Sequence, residues 1–153
     1  MSVIDRDRGA AKLTAALADL ARGVKITVGV HEDVGAHDHP GRSTADVIDV
    51  AVIQEFGGNS YLRSTFDEQR GALEKAMSTA SQRALKSAHH GRGSGGEVAR
   101  AFGRVAQRFA KKVQAKIRRM KIVDTGRLEQ SIEGRVNGAS VATSEDLSRS
   151  AGT

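Results

Sequence analysis

Three groups of residues in this chain have types and spacings that chemistry could use. The first is Asp124-Thr125-Gly126, the triplet of an aspartic protease. That reaction needs two carboxylates about 3 Å apart sharing a proton, and a chain this short would supply the second by dimerising. Such a protease is nearly all β, whereas this triplet follows a long basic helical pattern and precedes the charged Arg127. A capped turn is the preferred reading. The second group is His31, His37 and His39 with Glu32, Asp33 and Asp38, whose nitrogen and oxygen atoms suit a divalent cation. Their spacing matches no standard site, so the cluster is read as a solvated loop, and neither a metal nor another cofactor is expected. The third is Gly91-Arg92-Gly93-Ser94-Gly95-Gly96 ahead of a helix. Helix N-termini attract anions, but the Lys-Ser/Thr pair of a phosphate-binding loop and a preceding strand are both missing. These glycines are read as a hinge.

The elements that would position such groups follow from hydrophobic spacing. Ala10, Leu13, Leu17 and Leu20 recur at helical intervals and predict a helix over residues 9–22, with Gly23 as its stop. Val24, Ile26, Val28 and Val30 alternate with Lys25, Thr27 and Gly29, predicting a strand with one apolar and one polar face. A polar loop covers 31–43. Ser43 and Asp46 resemble a capping box and open a helix that places Val47, Val50, Ala51 and Phe56 on one side before Gly57-Gly58. The β-branched residues of this segment also permit a strand. A link over 59–63 leads to a helix from about Thr65 to Ala88, with Ser64 as N-cap and Phe66, Leu73, Met77, Ala80 and Ala84 as its buried stripe.

The clearest pattern spans Glu97 to Met120. Val98, Phe102, Val105, Phe109, Val113, Ile117 and Met120 form a continuous apolar seam. Arg100, Arg104, Arg108 and Lys112 step by four on another face, widened by Lys111, Lys116, Arg118 and Arg119. Asp124 is placed to cap a short turn running through Leu128, and residues 131–136 return as a strand. The elements predict an α+β fold, a small antiparallel sheet packed with several helices, one of them the long basic amphipathic helix of the C-terminal half. Residues 1–137 are expected to form one domain with a flexible hinge at 89–96, and the small polar residues 138–153 a mobile arm.

Composition narrows the function. Hydrophobic residues make up 39% of the 153, with only four phenylalanines and one tyrosine. The core should be thin, and packing against neighbouring copies would help it. The chain has no cysteine, which excludes disulfides and thiolate metal sites. No apolar stretch approaches the roughly 18 residues that span a bilayer, and Met1 to Arg8 lacks an apolar signal core. No membrane association is expected, and synthesis in a cytoplasm is. The net charge of +6 is local: between Arg92 and Lys121 there are ten bases and one acid, Glu97. Arg100, Arg104, Arg108, Lys111, Lys112 and Lys116 are therefore candidates to contact DNA or an acidic partner. Without interleaved aromatics, such DNA contact would not read sequence.

Four segments in order resemble a family of tailed-bacteriophage neck or tail-completion proteins. They are Val3-Ile4-Asp5-Arg6-Asp7-Arg8-Gly9 with the later Val28-Gly29-Val30, then Ala51-Val52-Ile53-Gln54-Glu55-Phe56-Gly57. Next comes Ser60-Tyr61-Leu62-Arg63-Ser64-Thr65-Phe66-Asp67, matching a family segment of Pro-x-Arg-Pro-Phe-Leu-Arg type, here with Tyr61 for phenylalanine and Gly58-Asn59-Ser60 for the proline-rich lead. The last is Ile122-Val123-Asp124-Thr125-Gly126-Arg127-Leu128-Glu129-Gln130-Ser131-Ile132. The resemblance implies a non-enzymatic virion protein at the head–tail junction, assembled as a six-fold or twelve-fold ring. Portal-side connector proteins and tail-terminator or tail-tube subunits would be its neighbours, and genomic DNA would pass nearby. It makes Glu55, Phe56, Tyr61, Leu62 and Arg63 the expected structural or interface region, with Asp124, Leu128 and Ile132 securing the C-terminal turn. The alternatives are a tail-terminator or head-closure role, or a non-specific DNA-binding module using the basic helix over 98–121.

Overall fold

A computed structural model describes residues 8–31, 44–90, 96–122 and 126–140. Along these the chain forms α1 (Arg8–Ala21), β1 (Ile26–Gly29), α2 (Thr44–Phe56), α3 (Tyr61–His89), α4 (Glu97–Arg119), α5 (Arg127–Gln130), β2 (Glu133–Val136) and β3 (Ala139–Ser140). The fold is α+β, with helices predominating over a three-stranded antiparallel sheet of order β1-β2-β3. Ile26 pairs with Val136 and Gly29 with Glu133 across β1 and β2.

The core is organised around α4. Val98, Phe102, Val105, Phe109, Val113 and Ile117 are all buried, so the spaced apolar seam is its inner face. Ala101, Gly103, Ala106 and Ala110 are buried beside them, and such small residues let neighbouring backbones come close. On one side α4 packs along α3, where Ala80, Ala84 and Ala88 are buried. On the other it covers the sheet through Val136. One apolar cluster joins α1, α3, α4 and β2 through Ala16, Ala84, Phe102 and Val136. A second joins Tyr61, Phe109, Val113, Ile117, Leu128 and Ile132. Most of the buried apolar side chains are alanine or valine, which is how a chain with few aromatics still closes a core.

Several elements differ from the sequence expectation. Strand β1 is confined to Ile26–Gly29, and all four residues are half-buried, so its Thr27 face is also partly covered. Helix α3 begins at Tyr61 rather than near Thr65, so the expected link over 59–63 is largely helix. Ser64 is not its N-cap: the hydroxyl turns back to the Ser60 carbonyl one turn earlier. Phe66 is 45% exposed, outside the buried stripe, with its ring edge-on to Phe109 at 6.4 Å.

The sheet also extends into the segment expected to be an arm. Val136 pairs with Ala139 around Asn137-Gly138, whose φ values of 51° and 81° are those of a two-residue hairpin turn. Asn137 ties this hairpin to the start of β1. Its side-chain oxygen accepts the Lys25 N–H at 2.9 Å, and its own N–H donates to the Lys25 carbonyl at 2.8 Å. Residues 141–153 lie outside the described residues, as do 91–95 of the expected hinge and 32–43 of the histidine loop.

Candidate functional site

The Glu55 carboxylate joins α2 to α3. The first turn of a helix has N–H groups without intrahelical partners, and Ser60, at the N-cap of α3, makes no side-chain cap bond. Glu55 supplies the missing acceptors from the preceding helix. Its Oε2 accepts the Leu62 N–H at 2.9 Å and its Oε1 the Arg63 N–H at 3.0 Å, while the Ser60 hydroxyl donates to Oε1 at 2.9 Å. The negative charge also suits the positive end of the helix dipole. Glu55→Ala is expected to cost about 0.5–2 kcal/mol, the range for a lost cap, read as a lower urea midpoint. An unchanged midpoint would contradict the capping role.

Tyr61, Leu62 and Arg63 share this corner but face different surroundings. Tyr61 is buried in the second apolar cluster, Leu62 packs at its edge, and Arg63 is exposed with its guanidinium 5.6 Å from the centre of the Phe56 ring. Burial, and after it the Glu55 charge, push the Tyr61 phenol up to about 12. The unfolded chain would ionise at about 10, so above that pH it binds fewer protons than the folded chain. Stability is therefore expected to fall as pH rises from about 10 to 12, by roughly 2–3 kcal/mol. Tyr61→Phe should flatten that alkaline limb in unfolding titrations.

Phe56 is not on the buried side of α2. Asp49, Val52, Ile53 and Phe56, spaced by three, one and three, form one exposed stripe, with Ile53 66% and Phe56 74% exposed. Val50 and Ala51 face inward against the second cluster. The helix thus carries apolar residues on both sides, and the outer set has no cover among the described residues.

The basic face of α4 divides in two. Towards its C-terminus the cations are engaged within the chain. Lys116 is 17% exposed and pairs with Glu68, and its hydrogen bond is the main cause holding the Glu68 carboxyl below the usual range. Lys112 donates to Gln69 at 2.5 Å, and Arg118 pairs with Glu129 at 3.0 Å. Lys116 is thus the most covered of the six candidate cations and already has a partner within the chain. Arg100, Arg104, Arg108, Lys111 and Lys112 are exposed.

Arg104 and Arg108 border a cleft of about 260 Å³ between α3 and α4. Buried or half-buried Ala76, Ala80, Ala101 and Val105 line its bottom, and the exposed Ala72 lies at one side. Lys75 and Arg83 of α3 complete a rim of four cations with Thr79, and no acid lines it. Sequence spacing finds the α4 half of this cleft. It misses Lys75 and Arg83, although the alanines at 72, 76 and 80 mark the α3 face that allows close helix approach.

At the C-terminal turn, Leu128 and Ile132 are buried in the second cluster. The N-cap position of α5 belongs to Gly126, with no side-chain cap bond. Asp124 lies outside the described residues, and so does the Asp124-Thr125 part of the protease-like triplet. Of the histidine loop only His31 is described, with a buried Nε2 that has no hydrogen-bond partner there. Among the described residues no group of three or more acids and histidines could hold a metal ion, and no helix is long and apolar enough to cross a membrane. No protein family, curated protein or solved structure matches this chain.

Proposed function

We propose that this chain is a structural subunit of a tailed-bacteriophage neck, forming a ring that connects the portal side of the head to the tail and completes the tail. The resemblance of four ordered segments to that family motivates the reading. The structural observation that carries it is the exposed stripe Val52, Ile53 and Phe56 on α2. Large apolar side chains grouped on one helix face mark a protein interaction surface, and a subunit with an alanine-rich core gains stability when a neighbour covers them. Ring neighbours meet through heterologous contacts that close by rotation. Glu55 supports the same reading, because it sets the angle at which α2 leaves α3 and so aims the stripe. No catalytic role is assigned to any residue, and a tail-terminator or head-closure position in the same particle uses the same surfaces.

Light scattering tests ring formation directly. The expected mass is six or twelve times that of one chain, and a monomer at all concentrations would contradict it. A second reading is favoured by the exposed cations Arg104, Arg108 and Lys111, for which no acid partner occurs among the described residues. As a DNA-binding module the free chain would bind duplex DNA with affinity falling steeply as salt rises. The ring reading expects weak or no binding by free subunits.

A further inference from the structure

We infer that the exposed stripe of α2 docks into the α3–α4 cleft of a second copy of this chain. The proposal rests on the ring reading above and names the two surfaces that would meet in it. Charge favours this contact at one end of the stripe. The exposed acid of the stripe is Asp49; Glu55 is engaged with the first turn of α3, and Arg63 of α3 lies over Phe56 at the other end. The cleft is rimmed by Lys75, Arg83, Arg104 and Arg108 and by no acid. Asp49 is exposed at one end of the stripe, where it would meet that rim as the apolar side chains enter.

The two surfaces also match in shape. The floor of the cleft is alanine and valine, and small floor residues admit the protruding Val52, Ile53 and Phe56 of a helix laid across them, as ridges enter grooves. Asp49, Val52, Ile53 and Phe56 fall on one helical line, so a single approach seats all four.

The chain's own α2 is out of reach of the cleft. Glu55 fastens α2 to the first turn of α3. Ala76 lies fifteen residues beyond Tyr61 on α3, roughly 22 Å along the axis. The stripe cannot enter its own cleft without breaking the Glu55 bonds, so the occupant comes from another copy. Stripe and cleft are different surfaces, which makes the contact head-to-tail. Such contacts generate a ring when the rotation closes.

The chain has no native cysteine, which allows unique cross-links. Ile53→Cys and Ala76→Cys would be prepared as separate full-length proteins, mixed at high concentration and oxidised. A disulfide forms only where the two backbones come within about 7 Å. The expected product is a one-to-one heterodimer in clear excess over either homodimer. Its yield should fall several-fold when the Ala76→Cys protein also carries Arg104→Glu and Arg108→Glu. Homodimers of Ile53→Cys alone would overturn the docking and replace it with a contact between two α2 helices. No cross-link despite ring masses in light scattering would overturn the docking and leave the ring reading standing. No cross-link together with a monomeric mass would overturn both. Duplex DNA that shields the thiol of the Ala76→Cys protein from alkylation, with no heterodimer formed, would overturn the docking in favour of a nucleic-acid occupant of the cleft.

Discussion

Leu128→Ala is expected to lower stability by about 2–5 kcal/mol, the range for truncating a fully buried leucine. Leu128 is 2% exposed and is the one buried residue of α5. A four-residue helix has no stability of its own, so this side chain is what holds the C-terminal turn in place. It packs in the cluster of Tyr61, Phe109, Val113, Ile117 and Ile132, which links that turn to α4 and to the start of α3. A domain of this size has roughly 5–15 kcal/mol in total, so the loss is a large share. Urea unfolding followed by helical circular dichroism would show it as a lower midpoint. A shift under about 1 kcal/mol would mean that the cluster collapses around the cavity without cost, contrary to the packing described.

Gly134→Ala is expected to cost about 1–3 kcal/mol through overpacking. Gly134 lies on the face of β2 that meets α4, and a Cβ there would stand 2.8 Å from both the carbonyl carbon and oxygen of Ala106. The Ala106 Cβ is the third neighbour, at 3.0 Å. Two of the three clashes are therefore with backbone, which every residue type retains. Ala106→Gly should leave most of the loss in place when combined with Gly134→Ala. Full rescue by that second change would show that the side chain alone sets the spacing between sheet and helix. The melting temperatures of the two single variants and the double variant decide between these outcomes.

The parts of the fold that are legible in the sequence are those where one spacing rule acts along a whole element. Helix α4, expected over 97–120, forms Glu97–Arg119, because its apolar seam steps by three and four without interruption. Helix α1 is similar. The start of α3 is hidden because its cap comes from Glu55 in the preceding helix, while the local signal at Ser64 points elsewhere. A carboxylate five to eight residues upstream belongs to no standard capping pattern. Asn-Gly is a strong turn signal, yet the hairpin at Asn137-Gly138 does not stand out, because the flanking strands are only four and two residues long.

The candidate site divides in the same way. The four-residue step identifies the cations of α4, yet Lys116 is engaged with Glu68 because α3 brings that acid across from 48 positions earlier. Grouping Phe56 with Val47, Val50 and Ala51 fails on the helical period itself, which sets it roughly 120–180° around the axis from them, in line with Val52 and Ile53. In a helix that is apolar on both sides, spacing cannot say which side is covered. Val50 and Ala51 meet the core, and Val52, Ile53 and Phe56 remain outside. The cleft needs two helices from different parts of the chain and has no sequence signature of its own.

Electron microscopy of the purified chain, alone and mixed with purified phage tails or filled heads, tests whether it is a neck subunit. Rings of six or twelve subunits seated at the end of a tail or beneath a portal are the expected result. A monomer that binds neither structure, yet binds duplex DNA with a steep dependence on salt, would contradict it and make the basic face of α4 a nucleic-acid surface.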